Sequence, residues 1–270
     1  MTSEAALETR LLKPPVAPLR ERGLNWLLWG GLALLLVLSF GPVEIGKAPL
    51  LFANSARSAE LLSGFTRPNF AEWRLYVAET WETVQMALWG TVLAVLAALP
   101  LSLLASRNLA PWWVVRPVRL LMDVLRSVNE LVVGLLFVAA VGLGPFAGVM
   151  AIALHTTGVL AKLFSEAVEA VDPGPLEGVR ATGAGRVAEI VWGVLPQVAP
   201  LWTSFALYRF EANARSATVL GLIGAGGIGA LLVDTMNAFA FDQTSAIVLV
   251  IIAAVSAIDA LSQLIRKRLL

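Results

Sequence analysis

Residues Asp172 to Pro200 read DPGPLEGVRATGAGRVAEIVWGVLPQVAP, a polar, glycine-punctuated segment set between long apolar runs. Asp172 followed by Pro173 and Pro175 predicts a helix start, because the first turn of a helix has unpaired amides that proline does not miss. Leu176, Val179, Val187, Ile190 and Val191 recur at roughly helical spacing, with Glu177, Arg180, Arg186 and Glu189 between them. Gly183 and Gly185 interrupt the pattern and predict two short helices rather than one. An amphipathic helix pair at a membrane edge needs something to dock on.

Those flanking runs require a bilayer. Of 270 residues, 58% are hydrophobic and 14% charged, which suits a polytopic membrane protein rather than an ordinary soluble domain. A net charge of +1 gives no reason to expect nucleic acid as a partner. The absence of cysteine removes disulfides, thiolate catalysis and cysteine-ligated metals, and a single histidine leaves little for any metal site. Residues 1–22 hold acidic residues and prolines but no short apolar core with a small-residue cleavage site, so they read as a disordered cytosolic N-terminal tail.

From Leu24 to Val43 no residue is charged, long enough for a hydrocarbon core of about 30 Å. The expected organisation is a tail over 1–22, a first transmembrane anchor over 23–43, an external loop over 44–82 and a core over 83–270 with five further spans. Those spans are placed at Thr83 to Ser106, Leu121 to the Gly142–Pro145 break, Phe146 to Val171, Val191 to Phe210, and Thr244 to Ile265. Six spans put both termini on one side. Arg10, Lys13, Arg20, Arg22, Arg107, Arg116, Arg119, Arg180, Arg186, Arg266, Lys267 and Arg268 then share a face, against Lys47, Arg57, Arg67, Arg74 and Arg215 on the other. The positive-inside rule makes the first face cytosolic, and it holds the Asp172 segment. Pro111, Trp112 and Trp113 suit the interface there.

GAGGIG at Gly224 to Gly229 satisfies G-x-G-x-x-G, but that fingerprint needs a strand, a helix and a parallel sheet around it. No G-x-x-x-x-G-K-[ST] occurs, so ATP phosphates would have to be bound by another polypeptide. Ionisable groups at membrane depth are costly and therefore functional candidates. Arg209 with Asn213, and Glu211 with Arg215, have i,i+4 spacing; arginines near a pore would attract an oxyanion, while Glu211 and Arg215 also read as an interface ion pair, the reading preferred for them. Asp123, Arg126 and Glu130 have similar spacing, which favours a Glu130–Arg126 pair over a place on the path. His155, beside Thr156 and Thr157, reads as an interhelical hydrogen-bonding group before a proton relay.

Several of these stretches carry a resemblance. Glu177-Gly178, Ala181, Gly183 and Val194-Leu195-Pro196 resemble the E-A-A...G...LP coupling loop in permease subunits of bacterial ABC importers. AVGLGPFAGVMAIALHTTGVLAKLFSEAVEAVDPGP (Ala140 to Pro175), EGVRATGA (Glu177 to Ala184), GVLPQVAP (Gly193 to Pro200) and YRFEANARSATVLGLIGAGGIG (Tyr208 to Gly229) are similar to the phosphonate importer branch, and Asn129, where many other permeases carry proline, fits that branch.

The resemblance implies an all-α membrane protein of six transmembrane helices, the type I ABC importer permease fold with a cytoplasmic coupling-helix loop at 172–191. It assigns Glu177, Gly178, Arg180, Ala181, Thr182, Gly183, Ala184 and Pro196 to ATPase coupling. It places a glycine-rich gate at 216–229, with Ser216, Thr218, Gly221, Gly224, Gly226, Gly227 and Gly229 at the mouth of the translocation path. Arg209, Glu211, Asn213, Arg215, Glu130 and His155 are the candidates for substrate or pore contact. The implied assembly has a second copy of the chain, two ABC ATPase subunits that bind ATP and Mg, and a periplasmic or lipid-anchored phosphonate-binding protein. It sits in the cytoplasmic membrane, and this chain itself binds no cofactor. The alternative is an ion-gradient-driven secondary transporter of small anions, which predicts inverted repeats that the two halves do not display. An intramembrane enzyme lacks a nucleophile and base constellation.

Overall fold

The computed structural model describes residues 19–47, 49–50 and 63–269. Residues 1–18 of the expected tail, and Arg57 and Glu60 of the expected external loop, lie outside the described residues. Among the described residues every regular element is helical. The chain divides into two units at residue 60. In the first, helix α1 (Leu19–Phe40) is followed by a single 3-10 turn at Ile45–Lys47, where the Lys47 ammonium meets the Glu44 carboxylate.

The second unit contains α2 (Trp73–Ala105), α3 (Trp112–Ser127), α4 (Glu130–Val141), α5 (Pro145–Glu169), α6 (Pro173–Ala181) and α7 (Arg186–Ala188). A π-helical stretch, Glu189–Val194, leads into α8 (Leu195–Gly221), and α9 (Gly227–Asn237) and α10 (Phe241–Leu269) complete it. Among the described residues four helical runs are long and apolar enough to cross a membrane: α2, α5, Arg186–Gly221 and α10. Helices α3 and α4 qualify together as a fifth but are bent by 85°, and α1 contributes a shorter apolar helix, Asn25–Phe40. The expected count of six is therefore not reproduced exactly. The single span expected from Leu121 to Gly142 is broken because Val128 and Asn129 are extended, and the Asn129 side chain accepts from the Leu131 amide at 2.9 Å, capping α4 in a new direction.

Helix α5 is the centre of this unit and packs on α2, α3, α4 and α8. Small residues make that possible, since helices in lipid associate by close van der Waals contact rather than by a hydrophobic effect between them. Ala87, Gly90, Thr91, Ala94, Ala98, Ser102 and Ala105 form a buried stripe along α2. A methyl group on Gly90 would stand 2.6 Å from Ile152 of α5, and one on Gly158 would stand 2.8 Å from backbone atoms of Met122 and Arg126 in α3. One buried polar group ties three helices together. Asn213 of α8, fully buried, donates to Thr91 of α2 at 2.9 Å and accepts from Thr156 of α5 at 3.0 Å.

Gly158→Ala is therefore expected to force α3 from α5 and to lower stability by about 1–3 kcal/mol, read as a lower thermal unfolding midpoint in detergent. Gly178→Ala meets nothing within 4 Å and should hold or raise the midpoint, because alanine favours a helix interior by roughly 0.5–1 kcal/mol. The reverse ranking would contradict this packing.

Candidate functional site

The Asp172 segment folds as two short helices. Asp172 caps α6, its carboxylate accepting from the Gly174 amide at 2.9 Å, and Pro173 occupies the first turn. The helix stops at Thr182, after which Gly183 adopts φ +78°, a left-handed conformation that glycine enters without steric cost. Gly185 is extended and opens α7. Leu176 is the one buried side chain of α6, and it belongs to the cluster of Phe164, Val168, Val194, Val198 and Trp202. Gly193 permits this seat, since a methyl there would stand 2.9 Å from Leu176.

Polar contacts complete the attachment. Gln197 accepts from the Asp172 amide at 3.0 Å and donates to the carbonyls of Asp172 at 3.3 Å and Gly193 at 2.7 Å. Arg180 reaches Glu189 at 3.1 Å. The opposite face of α6 is open: Glu177, Gly178, Arg180, Ala181, Thr182 and Gly183 are exposed, Ala184 is half-buried and Pro196 is exposed. Val187 and Trp192, both exposed, extend that surface with apolar area.

The residues expected at the gate gather at the other end of α5. The turn between α8 and α9 places Gly224, Gly226 and Gly227 at φ +87°, +81° and +68°. The Gly144 amide donates to the Gly224 carbonyl at 3.0 Å, joining this turn to the break before α5. Glu82 and Thr83 of α2 accept from the amides of Gly227 and Ile228 at 3.0 and 2.9 Å, so α2 caps the start of α9. Gly221 and Gly229 bring the backbones of α8 and α9 together, where a methyl on Gly221 would stand 2.6 Å from the Gly229 α-carbon. Ser216 donates to Glu130 of α4, and Thr218 donates to its own helix at Ala214. The Gly224–Gly229 motif thus lies in a helix–turn–helix, with no strand among the described residues.

Three candidates find partners other than those their spacing suggests. Arg126 pairs with Asp123 at 2.8 Å, leaving the Glu130 carboxylate to Ser216. Glu211 holds Arg215 at 3.4 Å as spacing predicts, but it also holds Arg266 of α10 at 3.1 Å, and Arg215 reaches Asp259 at 3.2 Å. Arg215 and Arg266 therefore share one carboxylate, whereas the charge count sets them on opposite faces; the reason is that α8 continues past Phe210 to Gly221. His155 stands 3.0 Å from the Val128 carbonyl in the α3–α4 break, an interhelical hydrogen bond as expected.

Arg209 is different. It reaches Asn213 at 3.4 Å, while its buried Nε has no hydrogen-bond partner and no carboxylate pairs with it among the described residues. Sequence reasoning does not find Glu82, Thr83, Gln197, Asp259 or Arg266. Glu82 alone carries a signal, as a carboxylate beside an apolar run.

Residues 78–270 match the family described as binding-protein-dependent transport system inner membrane component. The chain is 39% identical over 257 residues to the phosphite transport system permease protein of Stutzerimonas stutzeri, covering 92% of each. It is 38% identical over 276 residues to the phosphate-import permease protein of Mycolicibacterium smegmatis, covering 98% of this chain and 50% of the relative. Among solved structures it is similar to a chain of a methionine ABC transporter in inward-facing conformations, with TM-score 0.65 and 18% identity over 75% of this chain and 99% of that one, a likeness of fold. From the helical architecture and the matched span, the chain belongs to the family of binding-protein-dependent transport system inner membrane components.

Proposed function

We propose that this chain is the membrane-spanning subunit of an ATP-driven importer of phosphorus oxyanions: phosphonate, phosphite or phosphate. The observation that carries this reading is the attachment of α6, open on one face and locked on the other to α5 and α8 through Leu176 and the Asp172–Gln197 contacts. A separate ATPase that binds ATP and Mg would push on the open face, and the lock would pass the displacement into both helices. Relatives named for phosphite and phosphate transport support the cargo.

Two copies of this chain would enclose the path. The Mycolicibacterium smegmatis relative supports pairing, since the match to this chain leaves half of it over. The positive-inside rule places α6, Arg107, Arg116, Arg119, Arg266, Lys267 and Arg268 in the cytosol with both termini. A binding protein on the other side would then face the Gly224–Gly229 turn. The 25 residues of α5 separate the two ends, by about 37 Å at 1.5 Å per residue. Movement is needed there, and glycine backbones in the turn absorb dihedral change without a Cβ clash. Arg209, a guanidinium with an unused donor inside the helical unit, is the group on which a passing oxyanion would rest.

Glu177→Lys should leave the chain inserted and folded but abolish uptake of phosphite or phosphonate in cells that depend on it for phosphorus; undiminished uptake would remove α6 from the coupling role. Arg209→Ala should slow uptake roughly tenfold or more, the scale of one hydrogen bond to a charged group, with normal amounts of protein in the membrane. Wild-type kinetics in that variant would assign the guanidinium to packing.

A further inference from the structure

Two membrane-crossing helices end at the same level. At the last residues of α2 and α5, Asn108 donates to the Val168 carbonyl at 2.7 Å, and the Arg107 amide donates to the Glu169 carboxylate at 2.7 Å. Arg119 of α3 clamps both ends, with Nη2 on Glu169 at 2.6 Å and Nε on the Ala105 carbonyl at 3.0 Å. Both helices are long and apolar enough to cross a membrane, so a junction of their charged ends suits a membrane boundary, and Asp172 of the coupling segment follows directly.

A cavity of about 350 Å³ opens at the junction, lined by Arg107, Ala110, Trp112, Val115, Arg116 and Arg119. Its three arginines outnumber the one carboxylate beside them: Glu169 pairs with Arg119 and also feels the charge of Arg107, while neither Arg107 nor Arg116 forms a carboxylate ion pair among the described residues. The Arg116 guanidinium lies over the Trp112 ring, 5.1 Å from its centroid, which fixes it at the cavity edge. Helix α3 begins beside it at Pro111 with no side-chain cap and no acidic residue in its first turn, so its positive end is free as well. On the adjacent stripe of α3, Trp113, Leu120, Leu121 and Val124 are exposed at 65%, 66%, 47% and 52%. Cationic groups at a membrane boundary, with apolar surface running away from them along one helix, match the two ends of a phospholipid.

We propose that this cavity is a binding site for an anionic phospholipid, its phosphate held by Arg107 and Arg116 and its acyl chains lying along Trp113, Leu120 and Val124. The choice of the cytosolic leaflet rests on the orientation given above; the site itself does not. The lipid would sit against the helix ends from which the coupling segment departs, so its occupancy would stiffen the base of α6. Inorganic phosphate shares the headgroup chemistry but cannot use the apolar stripe.

The test is native mass spectrometry of the purified full-length chain equilibrated with phosphatidylglycerol and phosphatidylcholine. Wild type should retain phosphatidylglycerol over phosphatidylcholine by roughly tenfold or more, the scale of two arginines at an anionic surface. The double variant Arg107→Gln, Arg116→Gln should lose that preference while eluting as a folded species. The double variant Lys267→Gln, Arg268→Gln, altered at the end of α10, should keep it. The proposal is overturned if wild type retains both lipids equally, or if the Arg107 and Arg116 changes leave the preference intact. It is also overturned if inorganic phosphate displaces the lipid as well as phosphatidylglycerol does. Loss of ATPase-subunit binding with lipid preference unchanged would give these arginines to protein docking instead.

Discussion

The seat of Leu176 is the contact on which the attachment of α6 to the rest of the helical unit depends. Its side chain enters a cluster built from Phe164 and Val168 of α5 and from Val198 and Trp202 of α8, and the Phe164 and Trp202 rings stack 4.9 Å apart beneath it. Trp202 also donates from its indole to the Phe164 carbonyl at 3.2 Å, so α5, α8 and α6 meet in one packed joint. Because packed interiors behave as closely fitted solids, a displacement of α6 has nowhere to dissipate before it reaches α5 and α8. Without that joint α6 would be an exposed nine-residue helix, too short to hold its own shape in water.

Beyond the joint, the bilayer restricts how force travels. Small residues on α2 let α5 approach closely, and the Thr91–Asn213–Thr156 knot fixes the rotation of three helices about their axes. A polar side chain with both amide groups engaged in apolar surroundings is costly to pull apart, which favours movement of α2, α5 and α8 as a body. At the far end of α5 the packing changes character: backbone meets backbone at Gly221 and Gly229, and Gly142, Gly144, Gly224, Gly226 and Gly227 all have positive φ. The helical unit thus runs from a joint of packed side chains at one end of α5 to a turn of closely packed glycine backbone at the other.

Much of this was legible in the sequence where a single residue has a strong local preference. Asp172 and Pro173 start a helix and Gly183 stops it, as their backbone chemistry requires. Glu211 and Arg215 pair through one helical turn. What sequence does not disclose is the outcome of competition between neighbours from distant positions. Glu130 has Arg126 within reach in sequence, yet Ser216 takes it because the break at Val128 turns α4 away from α3. That break was hidden because the polar residues around it, Asp123, Arg126, Ser127, Asn129 and Glu130, also read as ion pairs at helical spacing within one span, and only Asn129 hints at a cap. Glu82 looks like the last residue of a loop, and its service to the Gly227 amide depends on a contact 145 positions away. Asp259 was silent for the same reason, and Arg266 counted only as a cation at a span end until Glu211 was seen to hold it.

If an ATPase outside this chain drives it through α6, hydrolysis and transport must depend on both. The most direct measurement is ATP hydrolysis by the chain reconstituted in liposomes with its ATPase subunits, with and without a binding protein loaded with phosphonate, phosphite or phosphate. A loaded binding protein should raise hydrolysis several-fold over the unloaded one, and only when this chain is present. Hydrolysis that stays the same whether or not this chain and the loaded binding protein are present would contradict it.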